Sequence, residues 1–296
     1  MTLRIQLPGR YDLRRSLSPL RRGPYDPTFR IIGGDLWNAV RSPAGPATLR
    51  LRQLAPTVVE ARLWGDGADW VRERLPELLG VADTPQDFSP DDTFMTELHR
   101  RTPGLRLPRT HRVLDALVPA IIEQKVLGVD AFTAWGRIIR HAGTPAPGPA
   151  PAGLIAPPDA GGWSSVPSWE WHRAGVGPQR YRTIQAAVRV GDRLQALPAP
   201  QLAAALAPIP GVGRWTIAET AARVHGDPDA VPWGDYHLGR LVGTALAGRI
   251  VDDDDTIAEL LAPYAPHRYR ALRLLALHVR VPRHGPRRSR VDHRAR

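Results

Sequence analysis

Two short features of this sequence could do chemistry together. The first is Ile209-Pro210-Gly211-Val212-Gly213-Arg214-Trp215-Thr216. Pro210 sets a turn, and Gly211 and Gly213 allow positive φ and close approach of the backbone to a ligand. A helix starting at Arg214 then points its first amides outward, and with its dipole they form a site for a phosphate. Such a site needs no charged side chain and reads no base. The second feature is Asp235, 22 positions after Gly213, in Val231-Pro232-Trp233-Gly234-Asp235-Tyr236-His237-Leu238. It stands between a loop and an apolar helical stripe, where aspartates commonly cap helices. Capping and catalysis are compatible, because a fixed anion also stabilises a cation developing nearby. Read singly, the turn also fits an ordinary connection between helices, and the aspartate a plain cap.

Composition narrows the partner. The chain has 296 residues, a net charge of +11 and a pI of about 11.0, which favours a polyanion such as nucleic acid or an acidic membrane. Lys125 is the only lysine, so arginine supplies nearly all of that charge. Cysteine is absent, which excludes disulfides, cysteine-held zinc and iron–sulfur clusters. No apolar run approaches the ~20 residues of a membrane span, and no signal-peptide core opens the chain. The expectation is a cytoplasmic, nucleoid-associated protein with no membrane partner.

The elements that must position these residues fall into an α+β arrangement. Residues 1–90 read as a β-rich α/β domain, with strands near 28–32, 48–52 and 58–63 and a helix near 69–79 that contains Pro76. Residues 91–282 read as all-α. Leu114, Leu117, Val118 and Ile121 recur at helical spacing, as do Leu238, Leu241, Val242 and Ala245, and Leu272, Leu275, Ala276 and Val279. Residues 201–207 form the helix before the turn. The stretch 143–162, rich in Pro, Ala and Gly, reads as a flexible or polyproline-like loop and not as a strand. Residues 283–296 form a basic, disordered tail carrying Arg283, Arg287, Arg288, Arg290, Arg294 and Arg296. The acidic run 252–255 fits helix capping and lacks the alternating oxygen ligands of a calcium loop. The histidines show no His-Glu-x-x-His spacing, and no metal site is expected.

Taken together, these segments resemble the helix-hairpin-helix DNA glycosylase superfamily, and within it the 3-methyladenine DNA glycosylase II family. Leu206-x-x-Ile209-Pro210-Gly211-Val212-Gly213-x-Trp215-Thr216 resembles that family's hairpin. Asp235-Tyr236-x-Leu238 resembles its catalytic-aspartate segment, and Leu117-Val118-x-x-Ile121-Ile122-x-Gln124 its helix near the lesion. The likeness spans residues 10–280, including an N-terminal antiparallel β-rich domain before the helices.

The resemblance implies an enzyme of base excision repair that binds damaged double-stranded DNA as a monomer, flips an alkylated purine and hydrolyses its N-glycosidic bond. Asp235 would be the catalyst. Trp215, Trp233 and Tyr236 would line the base pocket, Trp215 by cation–π stacking. Pro210, Gly211, Val212, Gly213, Arg214 and Thr216 would hold the backbone, with His237, Gln124 and Lys125 also facing DNA. No cofactor would be required, although hairpin carbonyls would hold a monovalent cation. Relatives that cleave the strand carry a lysine where Trp215 stands, so a monofunctional enzyme is expected.

Some positions depart from the family pattern. Lys125 stands where relatives often place an apolar wedge. Gly234 replaces an aspartate before the catalytic one, and residues 275–281 lack a second pocket tryptophan, a place that Trp233, Tyr236, Trp163 or Trp171 would have to fill. Two other readings therefore stay open: a glycosylase for deaminated or oxidised bases, and a DNA-binding module without catalysis.

Overall fold

The computed structural model describes residues 1–281; the arginine tail expected from 283 onward lies outside the described residues. The fold begins with β1 (Thr2–Gln6) and a short helix, α1 (Leu13–Leu17). Four strands follow, β2 (Phe29–Ile32), β3 (Asp35–Ser42), β4 (Gly45–Ala55) and β5 (Val58–Trp64), and then α2 (Ala68–Leu78). All five pair antiparallel in the order β1-β5-β4-β3-β2. Alternation puts Phe29, Leu36, Leu49, Leu51, Val59, Ala61 and Leu63 on one face, where they form a core with α1 and α2. Helix α2 runs through Pro76.

Apart from one pair of two-residue strands, the remaining elements are helical. They are α3 (Thr93–Arg100), α4 (Val113–Glu123), α5 (Gly128–Ala142), α6 (Ala160–Ser165), α7 (Ser168–Ala174), α8 (Pro178–Arg189), α9 (Gly191–Gln195) and α10 (Ala199–Leu206), then α11 (Arg214–Val224), α12 (Leu238–Val242), α13 (Asp254–Leu261) and α14 (Arg268–His278). Two clusters hold them. One joins α4, α5, α7, α8 and α10 with Ile209, Val212 and Val224. The other joins α3 with α12, α13 and α14. Helix α11 lies between: Ile217 and Val224 pack on the first cluster, while Ala218 and Ala222 meet Leu107, Ala230 and Tyr269. Among the described residues, no helix is long and apolar enough to cross a membrane.

Residues 143–162 correct the expectation of a flexible loop. They carry a pair of short strands, β6 (Thr144–Pro145) and β7 (Ile155–Ala156), that dock on the outer face of the sheet. Leu154 and Ala156 are buried against Ala39, with Trp37 packed alongside. The Ile155 amide donates to Pro27 O at 2.9 Å, and Arg41 donates to Thr144 Oγ1 at 2.7 Å and to Pro157 O at 3.0 Å. The proline-rich composition hid a segment whose apolar residues and backbone donors are used in packing. It also buries both faces of β3, which is why that strand shows no readable alternation.

Candidate active site

The hairpin connects α10 to α11, and only one of its glycines is required by conformation. Gly211 has φ +86°, and a Cβ there would fall 2.2 Å from Thr183 Oγ1. Gly213 is extended (φ −105°, ψ −178°), which any residue adopts, and a Cβ there meets nothing within 4 Å. Gly213 thus departs from the expected positive φ. Its contribution is open access in front of α11, whose first turn has no side-chain cap. Amides and dipole therefore face that opening, as an anion site requires.

Several residues expected at the DNA contact also brace the hairpin from within the protein. Val212 is buried in the helical core, and its amide donates to Ile209 O within the turn. Thr216 is buried, and its hydroxyl accepts from Gln124 Nε2 at 2.9 Å. The same Gln124 nitrogen donates to Gly211 O at 2.9 Å, so this amide locks the end of α4 to the hairpin. Arg214 pairs with Asp254, whose other oxygen accepts from the Gly234 amide at 3.2 Å. In the acidic run, Asp253 caps α13 as expected, while Asp254 ties the hairpin to the loop bearing Asp235. No sequence signal distinguished the two. Pro210 remains exposed at the turn.

Asp235 is half-buried, and both its oxygens are oriented. Trp215 Nε1 donates to Oδ2 at 2.8 Å, and the His237 amide donates to Oδ1 at 2.6 Å. The Asp235 carbonyl also accepts from the Leu238 amide at 3.1 Å, so the aspartate makes a turn just ahead of α12, whose cap position is His237. This shifts the expected cap by two residues. A carboxylate has about four acceptor sites in all, so each oxygen keeps one for water or substrate.

The expected aromatic pocket is only partly assembled. Trp215 is half-buried beside the carboxylate, bound to it through its indole edge. Trp233 packs against the α12–α14 cluster, and Tyr236 is 66% exposed with its ring edge-on to the exposed His237. Trp163 and Trp171 cannot serve as the second wall: they are fully buried and stacked with Trp135 inside the helical core.

The end of α4 carries a feature that sequence reasoning missed. Lys125 is exposed and has φ +54°, a left-handed conformation uncommon outside glycine. Each of the three residues before it is tethered by a different element. Ile122 O accepts from Arg180 Nη1 at 2.6 Å, Glu123 Oε1 from Arg22 Nη1 at 2.7 Å, and Gln124 holds the hairpin. Beyond it, Val126 and Leu127 are each 37% exposed and Val129 63%, so apolar surface flanks the lysine.

No protein-family model matches the sequence, and no curated protein matches it. Solved structures do. A 3-methyladenine DNA glycosylase from Archaeoglobus fulgidus superposes with a TM-score of 0.77 at 17% identity, covering 93% of this chain and 98% of that one. An 8-oxoguanine glycosylase/lyase from Clostridium acetobutylicum gives 0.71 at 12% identity, over 94% and 96%. The Schizosaccharomyces pombe 3-methyladenine DNA glycosylase in complex with abasic DNA gives 0.51 at 15% identity, over 64% and 94%. Over nearly its whole length, the chain has the α+β fold of the first two of these solved glycosylases.

Proposed function

We propose that this chain is a DNA glycosylase that binds damaged duplex DNA as a monomer and hydrolyses the N-glycosidic bond of alkylated purines, 3-methyladenine and 7-methylguanine. The observation that carries the reading is Asp235, oriented by the Trp215 indole and the His237 amide beside a helix whose first turn is uncapped. The α11 amides take a backbone phosphate on the open side of Gly213. Asp235 lies against the sugar, stabilises the oxocarbenium ion as the bond to the base lengthens, and orients water with its remaining acceptor sites. Alkylation at N3 or N7 makes the base a cationic leaving group, so departure needs no dedicated acid. Trp215 faces the base, and Val126 and Leu127 with Lys125 enter the gap it leaves. Base release is hydrolytic, because the residue beside the aspartate on the hairpin is a tryptophan and not an amine.

The monovalent cation fits the donor chemistry. The hairpin carbonyls of Ile209 and Gly211 each accept one hydrogen bond and keep a second lone pair, a neutral oxygen that a singly charged ion can share. Bound there, it would hold the turn's curvature and add positive charge toward the phosphate.

The deciding experiment is chromatography of bases released from methylated duplex DNA. Wild type should release 3-methyladenine or 7-methylguanine, and Asp235→Asn should be slower by roughly 10²–10³-fold while still binding DNA. Undiminished release by Asp235→Asn would remove the aspartate from the mechanism. Release of hypoxanthine or an oxidised base in preference to methylated ones would favour the other lesion class, and no release from any lesion the binding module.

A further inference from the structure

Asp235 stands on a segment with little rigidity of its own. Gly234, just before it, has φ +81°, and a Cβ there would meet nothing within 4 Å, so packing does not confine it. Glycine has more backbone freedom to lose than any other residue. The bond from Trp215 Nε1 to Asp235 Oδ2 forms only where this loop and the hairpin are held in register.

Asp254, the first residue of α13, touches both. Its Oδ1 accepts from the Gly234 amide at 3.2 Å, and its Oδ2 accepts from Arg214 Nη2. Arg214 precedes Trp215, and Gly234 precedes Asp235. The contacts therefore close a ring. It runs from Asp254 to Arg214, along the chain to Trp215, across to Asp235, and back through Gly234 to Asp254. The anchor of this ring is firm. Asp253 caps α13 by accepting from the Thr256 amide at 2.7 Å, which leaves the Asp254 carboxylate outside the cap. The segment ahead of α13 lies tightly on α12: a Cβ on Gly239 would fall 1.9 Å from Val251 O, and the Val251 amide donates to Gly239 O at 3.3 Å.

Folding does not account for this placement. The Arg214 side chain is 67% exposed, and an ion pair so open to solvent adds little stability. DNA binding does not account for it either. The carboxylate neutralises the guanidinium of the first residue of α11, the helix assigned to a phosphate, and a negative charge there opposes a polyanion. We propose that Asp254 is a positioning residue for base release: it sets the register of Asp235 against Trp215, and it lowers DNA affinity in doing so. The inference rests on the glycosylase reading. Misplacement by about 1 Å at a reacting centre can cost 10²-fold in rate, so a strut at this point acts on the chemical step.

The test compares wild type, Asp254→Ala and Asp254→Asn in two measurements on the full chain. The first is single-turnover release of methylated purines under excess enzyme, which reads the step on bound DNA. The second is affinity for a duplex with a tetrahydrofuran site across a series of salt concentrations. Asp254→Ala loses both contacts and should release base at least about tenfold more slowly. Asp254→Asn keeps an oxygen for the Gly234 amide, so its rate should recover at least about threefold over Asp254→Ala. Both variants free Arg214. Both should bind DNA more tightly than wild type, and log K should fall more steeply with log salt by about one unit of slope, for one further phosphate neutralised. A slower step with tighter binding is a pair of changes that a loosened fold does not produce. Three results overturn the proposal: an Asp254→Ala rate within about threefold of wild type, a rate loss accompanied by weaker binding, or an unchanged salt slope in both variants. Release by wild type with an unslowed Asp254→Ala sinks the positioning role and spares the glycosylase. No release by wild type sinks the glycosylase reading, and the role with it.

Discussion

The two ends of α11 are built in opposite ways. At its C-terminal end the orphan carbonyls are satisfied: Arg223 O accepts from the Thr110 amide and Val224 O from the His111 amide, each at 3.0 Å. Arg223 there pairs with Glu219 at 2.7 Å and donates to Pro19 O at 3.1 Å, all in buried surroundings. At the N-terminal end no side chain caps the first turn, and nothing stands within 4 Å of where a Gly213 side chain would begin. A helix end left without partners is tolerated only where water or a ligand supplies them. The closed end is therefore structural, and the open end is the one the proposed function uses, although one helix supplies both.

The largest effect should come from breaking the closed end. Arg223→Ala leaves Glu219 with its side chain only 15% exposed and without its cation. An uncompensated buried charge costs about 3–5 kcal/mol. Urea unfolding should show that loss, and Arg223→Met combined with Glu219→Leu should return most of it. If Arg223→Ala were to lose base release or DNA binding while keeping its stability, the division between the two ends would be wrong.

The two hairpin glycines sharpen the contrast at the open end. Gly211→Ala forces a side chain into positive φ and onto Thr183, and should cost roughly 1–3 kcal/mol of stability. Gly213→Ala has neither problem, and its stability should stay within about 0.5 kcal/mol of wild type. Its added methyl stands where a phosphate would approach the α11 amides, so DNA affinity should fall at least about threefold, or 0.7 kcal/mol. Fluorescence anisotropy with a labelled duplex separates the cases. Unchanged affinity in Gly213→Ala would mean that no phosphate sits there.

Those glycines also show what was legible in the sequence. The turn and Asp235 could be read because turn chemistry is local: proline, glycine and an acid at a loop–helix junction constrain their own backbone. The strands near 28–32, 48–52 and 58–63 could be read because each has one wet face. What escaped depends on contacts between distant positions. The bond from Trp215 to Asp235 spans 20 positions, and the clamp from Gln124 to Thr216 spans 92. Gln124 read as a residue facing DNA, with nothing in its neighbourhood to say that the hairpin would receive it. Trp163 and Trp171 looked available for a pocket, because a tryptophan's burial is set by helices that pack around it later in the chain.

A further effect concerns pH at the closed end. His225 caps the C-terminus of α11, half-buried, with its Nε2 lacking a hydrogen-bond partner. Burial, together with the nearby His111 and Arg109, pushes its pKa down to about 4, against a smaller upward pull from Glu77. The folded value lies below the ordinary histidine value of about 6.5, so between these limits the unfolded chain binds more protons. Stability from this group is thus complete above about pH 6.5 and is lost as pH falls toward 4. The ring is half exposed, so solvent screening reduces the effect to the order of 1 kcal/mol, a Tm change of about 2–4 °C. Carboxylates titrate in the same range, so the measurement is the difference in Tm between wild type and His225→Gln, followed from pH 7 to pH 4. The variant should lose its disadvantage, or overtake wild type, as pH falls. Parallel curves would mean that His225 is solvated as freely in the folded chain as in the unfolded one, and that the closed end of α11 is more open than its hydrogen bonds indicate.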